Sequence, residues 1–229
     1  MNDQVKFVKT VSTVKTKAEL IEEYKFINVD DSWYDMAIEH WTEVLNEIGF
    51  HSVEIRFRGF WTQGDGASFT GNFHRTRKSQ VDLSNTRDTF RDIVKSYLAD
   101  LDRYAFDMGK VLNKVHKLKG TDKAKANLEY GVYVVRGSSL YCHEKTVYVD
   151  DDTIEVHGLR PESDTDDFKE CMTELVEYLS KNIYEYLETE HSYLLSDEAV
   201  WEALEANEMF GWEPLESPEA DNVSTESHV

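Results

Sequence analysis

Several things are scarce in this chain, and each shortage removes a class of protein. Only two of the 229 residues are cysteine, Cys142 and Cys171. Two thiols that far apart make no disulfide framework and no metal-ligand spacing, so reduced thiols in a cytoplasmic compartment are expected. No apolar run approaches the roughly 18–20 residues that a bilayer crossing requires. The first twenty residues contain lysines but no apolar core of a leader, so a secretory signal peptide is not expected. Proline occurs three times, and Pro214 and Pro218 both fall near the C-terminal end. Basic residues are nearly missing from one end. Residues 150–229 hold 24 acids but only Arg160, Lys169 and Lys181, whereas residues 1–149 hold 21 acids and 22 bases.

Known catalytic signatures are missing too. Gly64 and Gly66 are not followed by Lys-Ser/Thr, so no Walker loop is present, and their spacing does not fit a dinucleotide fingerprint. There is no G-x-S-x-G, no H-E-x-x-H and no cysteine in a catalytic neighbourhood. Asp150 to Asp152 lack the alternate spacing and terminal glutamate of a calcium loop. No catalytic residue, metal site or cofactor is expected on these grounds.

What is present describes a globular chain. It is 40% hydrophobic and 12% aromatic. At this length roughly 70% of the extended surface can be buried, enough for a core without staples. The net charge is −20. Such a field argues about partners, not fold. It disfavours direct contact with nucleic acid or anionic lipid and favours a basic surface on another protein.

Periodicity predicts the elements. Residues 17–24 read as a short helix behind a Thr16 cap. Trp33, Met36, Ala37, Trp41, Val44, Leu45 and Ile48 recur at helical spacing, with Gly49 as a stop. Residues 52–73 alternate with period two around T-Q-G-D-G-A and predict a β-hairpin. A long helix is expected from about 87 to 116. Three strands over 128–159 follow, with turns at Gly137-Ser138 and at Asp150 to Asp152. A second long helix spans 164–189, and Ser196 caps a last one. This order predicts an α+β fold: an antiparallel sheet, hairpin plus meander, with long amphipathic helices on one face. The organisation read from it is an N-terminal arm with a short helix over 1–27, one domain over 28–210 and an acidic disordered tail over 211–229. Two β-containing lobes bridged by the first long helix are the alternative.

Three groups of residues could carry function. In the glycine turn, Asp65 and Gln63 read first as holding a tight hairpin; the functional reading makes Trp61, Gln63 and Asp65 an exposed recognition tip. Tyr141, His143 and Glu144 form an alternative ligand site. On a strand, Tyr141 and His143 would share one face and Glu144 the other. That pair makes no metal site unless Asp65, His74 or His157 joins it. The third group is a row of carboxylates on the second long helix: Asp167, Glu170, Glu174, Glu177, Glu185 and Glu188, interrupted by Lys181. Neighbours at this spacing stand about 5–6 Å apart. The plain reading is a solvated face. The functional one is a negative row that imitates a phosphate backbone and binds a basic groove.

The segment Phe57-Arg58-Gly59-Phe60-Trp61-Thr62-Gln63-Gly64-Asp65-Gly66-Ala67-Ser68-Phe69-Thr70-Gly71 resembles a block found in an uncharacterised family of bacteriophage and prophage proteins. Tyr141, His143 and Glu144 are similar to its Y-x-H-E segment. Tyr193-Leu194-Leu195-Ser196-Asp197-Glu198-Ala199-Val200 is similar to its C-terminal block. Arg58 and Thr62 depart from it where serines are usual, and residues 75–137 are not covered. The resemblance implies a virus-encoded accessory protein in a bacterial cytoplasm, with no activity to transfer. The expected function is binding to, and inhibition or modulation of, a host protein with a basic surface, such as a nucleic-acid-handling or defence factor. No direct nucleic-acid or membrane contact is expected. The alternative is a small-ligand or nucleotide-binding protein, or an enzyme, built on the glycine hairpin and His143.

Overall fold

The computed structural model describes residues 15–76, 79–115, 128–139, 141–161 and 164–209. The first fourteen residues of the arm, residues 116–127 and the acidic tail lie outside them. Along the chain run α1 (Lys17–Glu23), α2 (Asp35–Ile48), β1 (Phe50–Arg58), β2 (Gly66–Thr76), α3 (Asp88–Val115), β3 (Glu129–Arg136), a 3-10 turn (Glu144–Thr146), β4 (Val147–Val156), α4 (Asp166–Leu194) and α5 (Asp197–Ala206). The strands form one antiparallel sheet in the order β1-β2-β3-β4. The protein is therefore α+β. The chain divides into two compact units, residues 31–191 and residues 1–30 with 192–229.

In the larger unit the sheet is buried on one face. Phe50, Phe69, Phe73, Tyr130, Val132, Val134, Val149 and Ile154 point into a core shared with Val94, Leu98 and Leu101 of α3 and Met172, Leu175, Leu179 and Ile183 of α4. Burying each such side chain stabilises the fold by about 1.5–3 kcal/mol. The opposite face carries Glu54, Arg56, Asn72, His74, Tyr133, Tyr148 and Glu155, all exposed. This is the alternation the hairpin sequence predicts. Met36, read as part of the α2 stripe, is 78% exposed. It sits in the first turn of α2, roughly a third of a helical turn away from the centre of the buried stripe formed by Ala37, Trp41, Val44, Leu45 and Ile48.

One buried polar site crosses the core. Arg75 points inward from β2, and its Nε donates to Asp102 Oδ1 of α3 at 3.2 Å. The Tyr130 hydroxyl donates to the same oxygen at 2.8 Å. Burial, and then the Asp102 charge, push the Tyr130 phenol far up, so it stays a donor.

The meander departs from the sequence reading. Among the described residues two strands follow α3, and Asp150 to Asp152 lie inside β4 rather than in a turn. The register moves from Gly131↔Glu155 to Tyr133↔Asp150, so β4 holds a bulge. Thr153 closes it: its Oγ1 accepts from Tyr133 N at 2.9 Å and donates to the Asp150 carbonyl at 2.6 Å. Asp152 N donates to Asp150 Oδ1 at 3.2 Å, a local turn bond. The aspartates bulge the strand instead of ending it, and the pairing resumes beyond them.

In the smaller unit, Leu20 of α1 packs with Val200 and Leu204 of α5. Both helices begin on the caps the sequence predicts. Thr16 accepts from Glu19 N, and the Glu19 carboxylate accepts from Thr16 N at 2.7 Å. Ser196 accepts from Ala199 N at 3.2 Å. Asn28 Nδ2 donates to the Leu194 and Ala199 carbonyls at 3.3 and 3.0 Å. Among the described residues, no helix is long and apolar enough to cross a membrane.

Candidate functional site

The β1–β2 connection spans residues 59–65. Asp65 closes it, its carboxylate accepting from Thr62 N at 2.8 Å and its own N–H donating to the Thr62 carbonyl at 3.1 Å. That carboxylate is thereby committed to the turn. Gln63 is exposed. Trp61 is 69% exposed and adopts φ +70°. A non-glycine residue in this region costs about 1 kcal/mol or more, so its surroundings must hold it there.

Aromatic packing supplies the hold. Phe60 lies 4.9 Å from the His191 ring, 5.6 Å from Tyr184 and 6.2 Å from Trp33. The Trp61 ring is 5.9 Å from His191. Burial lowers the His191 pKa, favouring the neutral ring, and its Nδ1 is buried without a partner. Sequence reading missed this support because Trp33, Phe60 and the α4 pair Tyr184 and His191 come from three separate segments. The run Phe60-Trp61 was the only local sign of it.

The second candidate meets the first. Cys142 N donates to the Gly64 carbonyl at 3.4 Å, and the Tyr141 ring lies against Gly64. A Cβ at Gly66 would stand 2.6 Å from His143 Cβ and 2.8 Å from the Cys142 carbonyl. The glycine spacing thus serves close backbone approach between two distant segments. Below this contact Ser68, Cys142 and Thr146 are buried together, with Thr146 Oγ1 and Ser68 Oγ 3.4 Å apart.

Residues 141–144 are not a strand, which corrects the reading of their faces. His143 caps the 3-10 turn, its Nδ1 accepting from Lys145 N at 3.2 Å. Thr146 Oγ1 donates to the His143 carbonyl at 2.7 Å. Local capping bonds outcompete the strand ladder here. Glu144 is half-buried and Tyr141 is 51% exposed. Asp65 and His143 make no hydrogen bond to one another. No group of three or more His, Cys, Asp or Glu placed to hold a metal ion occurs among the described residues.

The third candidate is on α4, whose other face is the core stripe from Phe168 to Leu187. At about 100° per residue, Asp167, Glu170, Glu174, Glu177, Glu185 and Glu188 fall within an arc of about 80°. Lys181 lies in the same arc. It pairs with Glu185 at 3.8 Å, and Lys145 binds both oxygens of Glu177 at 3.1 Å. Glu188 is half-buried. Asp167, Glu170 and Glu174 are exposed and make no ion pair with another described residue. The row lies on one face but is broken at Lys181, and its bare part is the N-terminal half. There the helix dipole also favours Asp166 and Asp167.

Residues 33–197 match a family described as a domain of unknown function (DUF8835). The chain belongs to that family. The matched stretch begins and ends within a few residues of the larger unit, so the sheet, the glycine turn and the acidic face all lie inside it. No curated protein and no solved structure matches the chain.

Proposed function

We propose that this chain is a virus-encoded accessory protein that acts by binding. Its partner is a host protein with a basic, nucleic-acid-handling surface in the bacterial cytoplasm, and the contact is made by the carboxylates of α4. The observation that carries this reading is the placement of Asp167, Glu170 and Glu174, exposed on one face of a 29-residue helix whose opposite face is buried. A buried face fixes the helix, so the charges keep a spacing of about 5–6 Å without their own ordering cost. The viral origin rests on the motif resemblance. Trp61 provides a second contact point, an exposed aromatic on a preformed turn, the type of side chain that dominates interface energetics.

Affinity capture from bacterial lysate at low salt and at about 0.5 M salt tests the proposal, because exposed charge pairs are screened within a few ångströms at high salt. The expected result is a nucleic-acid-binding host protein that is held at low salt, released at high salt and displaced by duplex DNA. The triple variant Asp167→Asn, Glu170→Gln, Glu174→Gln should lose it. Retention by that variant, or no host partner at low salt, would sink the idea.

A further inference from the structure

The sheet has two outer strands, β1 and β4, finished in different ways. The β4 edge carries Asp150, Asp151 and Asp152 in a row, a bulge, and an ion pair from Asp151 to Lys169 at 3.1 Å. Bulges and like charges of this kind keep an edge from pairing with a copy of itself.

The β1 edge has a different character. Beyond the irregularity between His51 and Glu54 it is regular to Arg58. Glu54 and Arg56 project to the open face of the sheet and pair with each other, Arg56 Nε donating to Glu54 Oε1 at 2.7 Å. Val53, Ile55 and Phe57 alternate with them and are half-buried on the helical side. No described strand pairs with its outer side. A groove of about 650 Å3 runs along this edge, with Tyr34, which precedes α2, and Ile38 of α2 on one wall and Arg56 and Arg58 on the other. The groove is mixed towards the helical layer, where Asp35 and Glu39 stand beside Tyr34 and Ile38, and basic towards the open face.

We propose that β1 pairs with β1 of a second copy, antiparallel, about a two-fold axis through Ile55. This register sets Glu54 opposite the partner's Arg56 twice over and places Ile55 against the partner's Ile55. It also puts Val53 beside the partner's Phe57, all on the helical side. A slip that centres the axis on Arg56 opposes the two Arg56 side chains while Glu54 meets the partner's Arg58, so charge favours the Ile55 register, in which no like charges face each other. The two in-strand Glu54–Arg56 pairs, one in each copy, are exchanged for two cross-strand pairs, and neither Glu54 nor Arg56 is left bare in either state. The product is one continuous sheet across both copies. A single strand pair buries little area, so the dimer is weak and reversible.

Sedimentation velocity on the full chain over about 1–100 μM reads the association constant directly. The expected result is a reversible dimer at the top of that range. Glu54→Arg and Arg56→Glu should each weaken it at least about tenfold, since each turns two attractive pairs into repulsive ones. The double exchange should restore it, and an equal mixture of the two single variants should form a heterodimer. Both positions are exposed, and circular dichroism checks that each variant folds. A wild type that stays monomeric throughout, a dimer unaffected by the single variants, or single variants that fail to recombine would each overturn the proposal. Hydrogen exchange adds a further check: β1 amides protected in a monomer would mean that the same chain covers the edge.

Discussion

The ring of Tyr141 occupies the space that a side chain on Gly64 would need. A Cβ built there would stand 2.2 Å from Tyr141 Cδ1 and 2.6 Å from Cε1, and Gly64 has φ +90°. Two segments that look like separate motifs in the sequence are one contact in the fold.

Gly64→Ala should therefore destabilise the protein by about 2–3 kcal/mol, combining steric displacement of Tyr141 with a strained φ. In a Tyr141→Ala background the same change should cost only about 1 kcal/mol, the backbone part alone. Urea unfolding of the four proteins measures the coupling. Equal costs in both backgrounds would show that the ring is not what excludes the side chain.

The elements that repeat a period over many residues were legible. The two long helices, the alternation through Val53, Ile55 and Phe57, and the caps at Thr16 and Ser196 all sit where the sequence places them. Failures came where a local preference and a distant contact disagree. Asp150 to Asp152 are turn formers, and they do bend the chain, but Tyr133 N finds Thr153 Oγ1 and the strand continues. The residues around His143 alternate like a strand, yet capping bonds and the contact with Gly66 claim them. The support beneath Trp61 could not be read, because His191 lies 130 residues from it in sequence and nothing local marks its ring as packed.

Asp102 holds Arg75 and Tyr130 on one oxygen, which predicts non-additive losses. Asp102→Ala leaves the Arg75 guanidinium buried and should cost about 3–5 kcal/mol. Tyr130→Phe removes one hydrogen bond and should cost about 1–2 kcal/mol. Arg75→Met combined with Asp102→Leu should be less damaging than the sum of the two single changes, because neither partner is left bare. Additive losses in denaturant titrations would argue against the pairing.

The lowered pKa of His191 gives a pH dependence whose sign is fixed. The unfolded chain takes up a proton near the ordinary value of 6.5, while burial resists it in the fold. Stability from this group is complete above that value and falls as pH drops through it towards the lower folded pKa. His191→Phe should flatten the fall between about pH 7 and 5. Tryptophan fluorescence follows the same event, because Trp33 and Trp61 lie 5.1 and 5.9 Å from the ring. An unchanged profile in the variant would assign the slope to other groups.

Both thiols should resist alkylation in the native protein. Cys142 and Cys171 are buried, and burial raises the Cys171 pKa to about 11. Thiol titration at pH 8 should find neither within minutes in buffer and both in denaturant. Fast native labelling of Cys142 would show that the segment over Gly66 and Ser68 opens.

The φ of Trp61 has a consequence for how anything would meet it. A loop that orders only on contact loses conformational entropy at that moment, and the loss is subtracted from affinity. Here the ordering is already complete in the free chain, imposed by Asp65 from within the turn and by Phe60, His191 and their neighbours from below. A partner arriving at this tip finds its shape ready. The backbone of residues 59–65 should therefore superpose between free and bound states, and binding there should show little of the slow step that accompanies folding on contact.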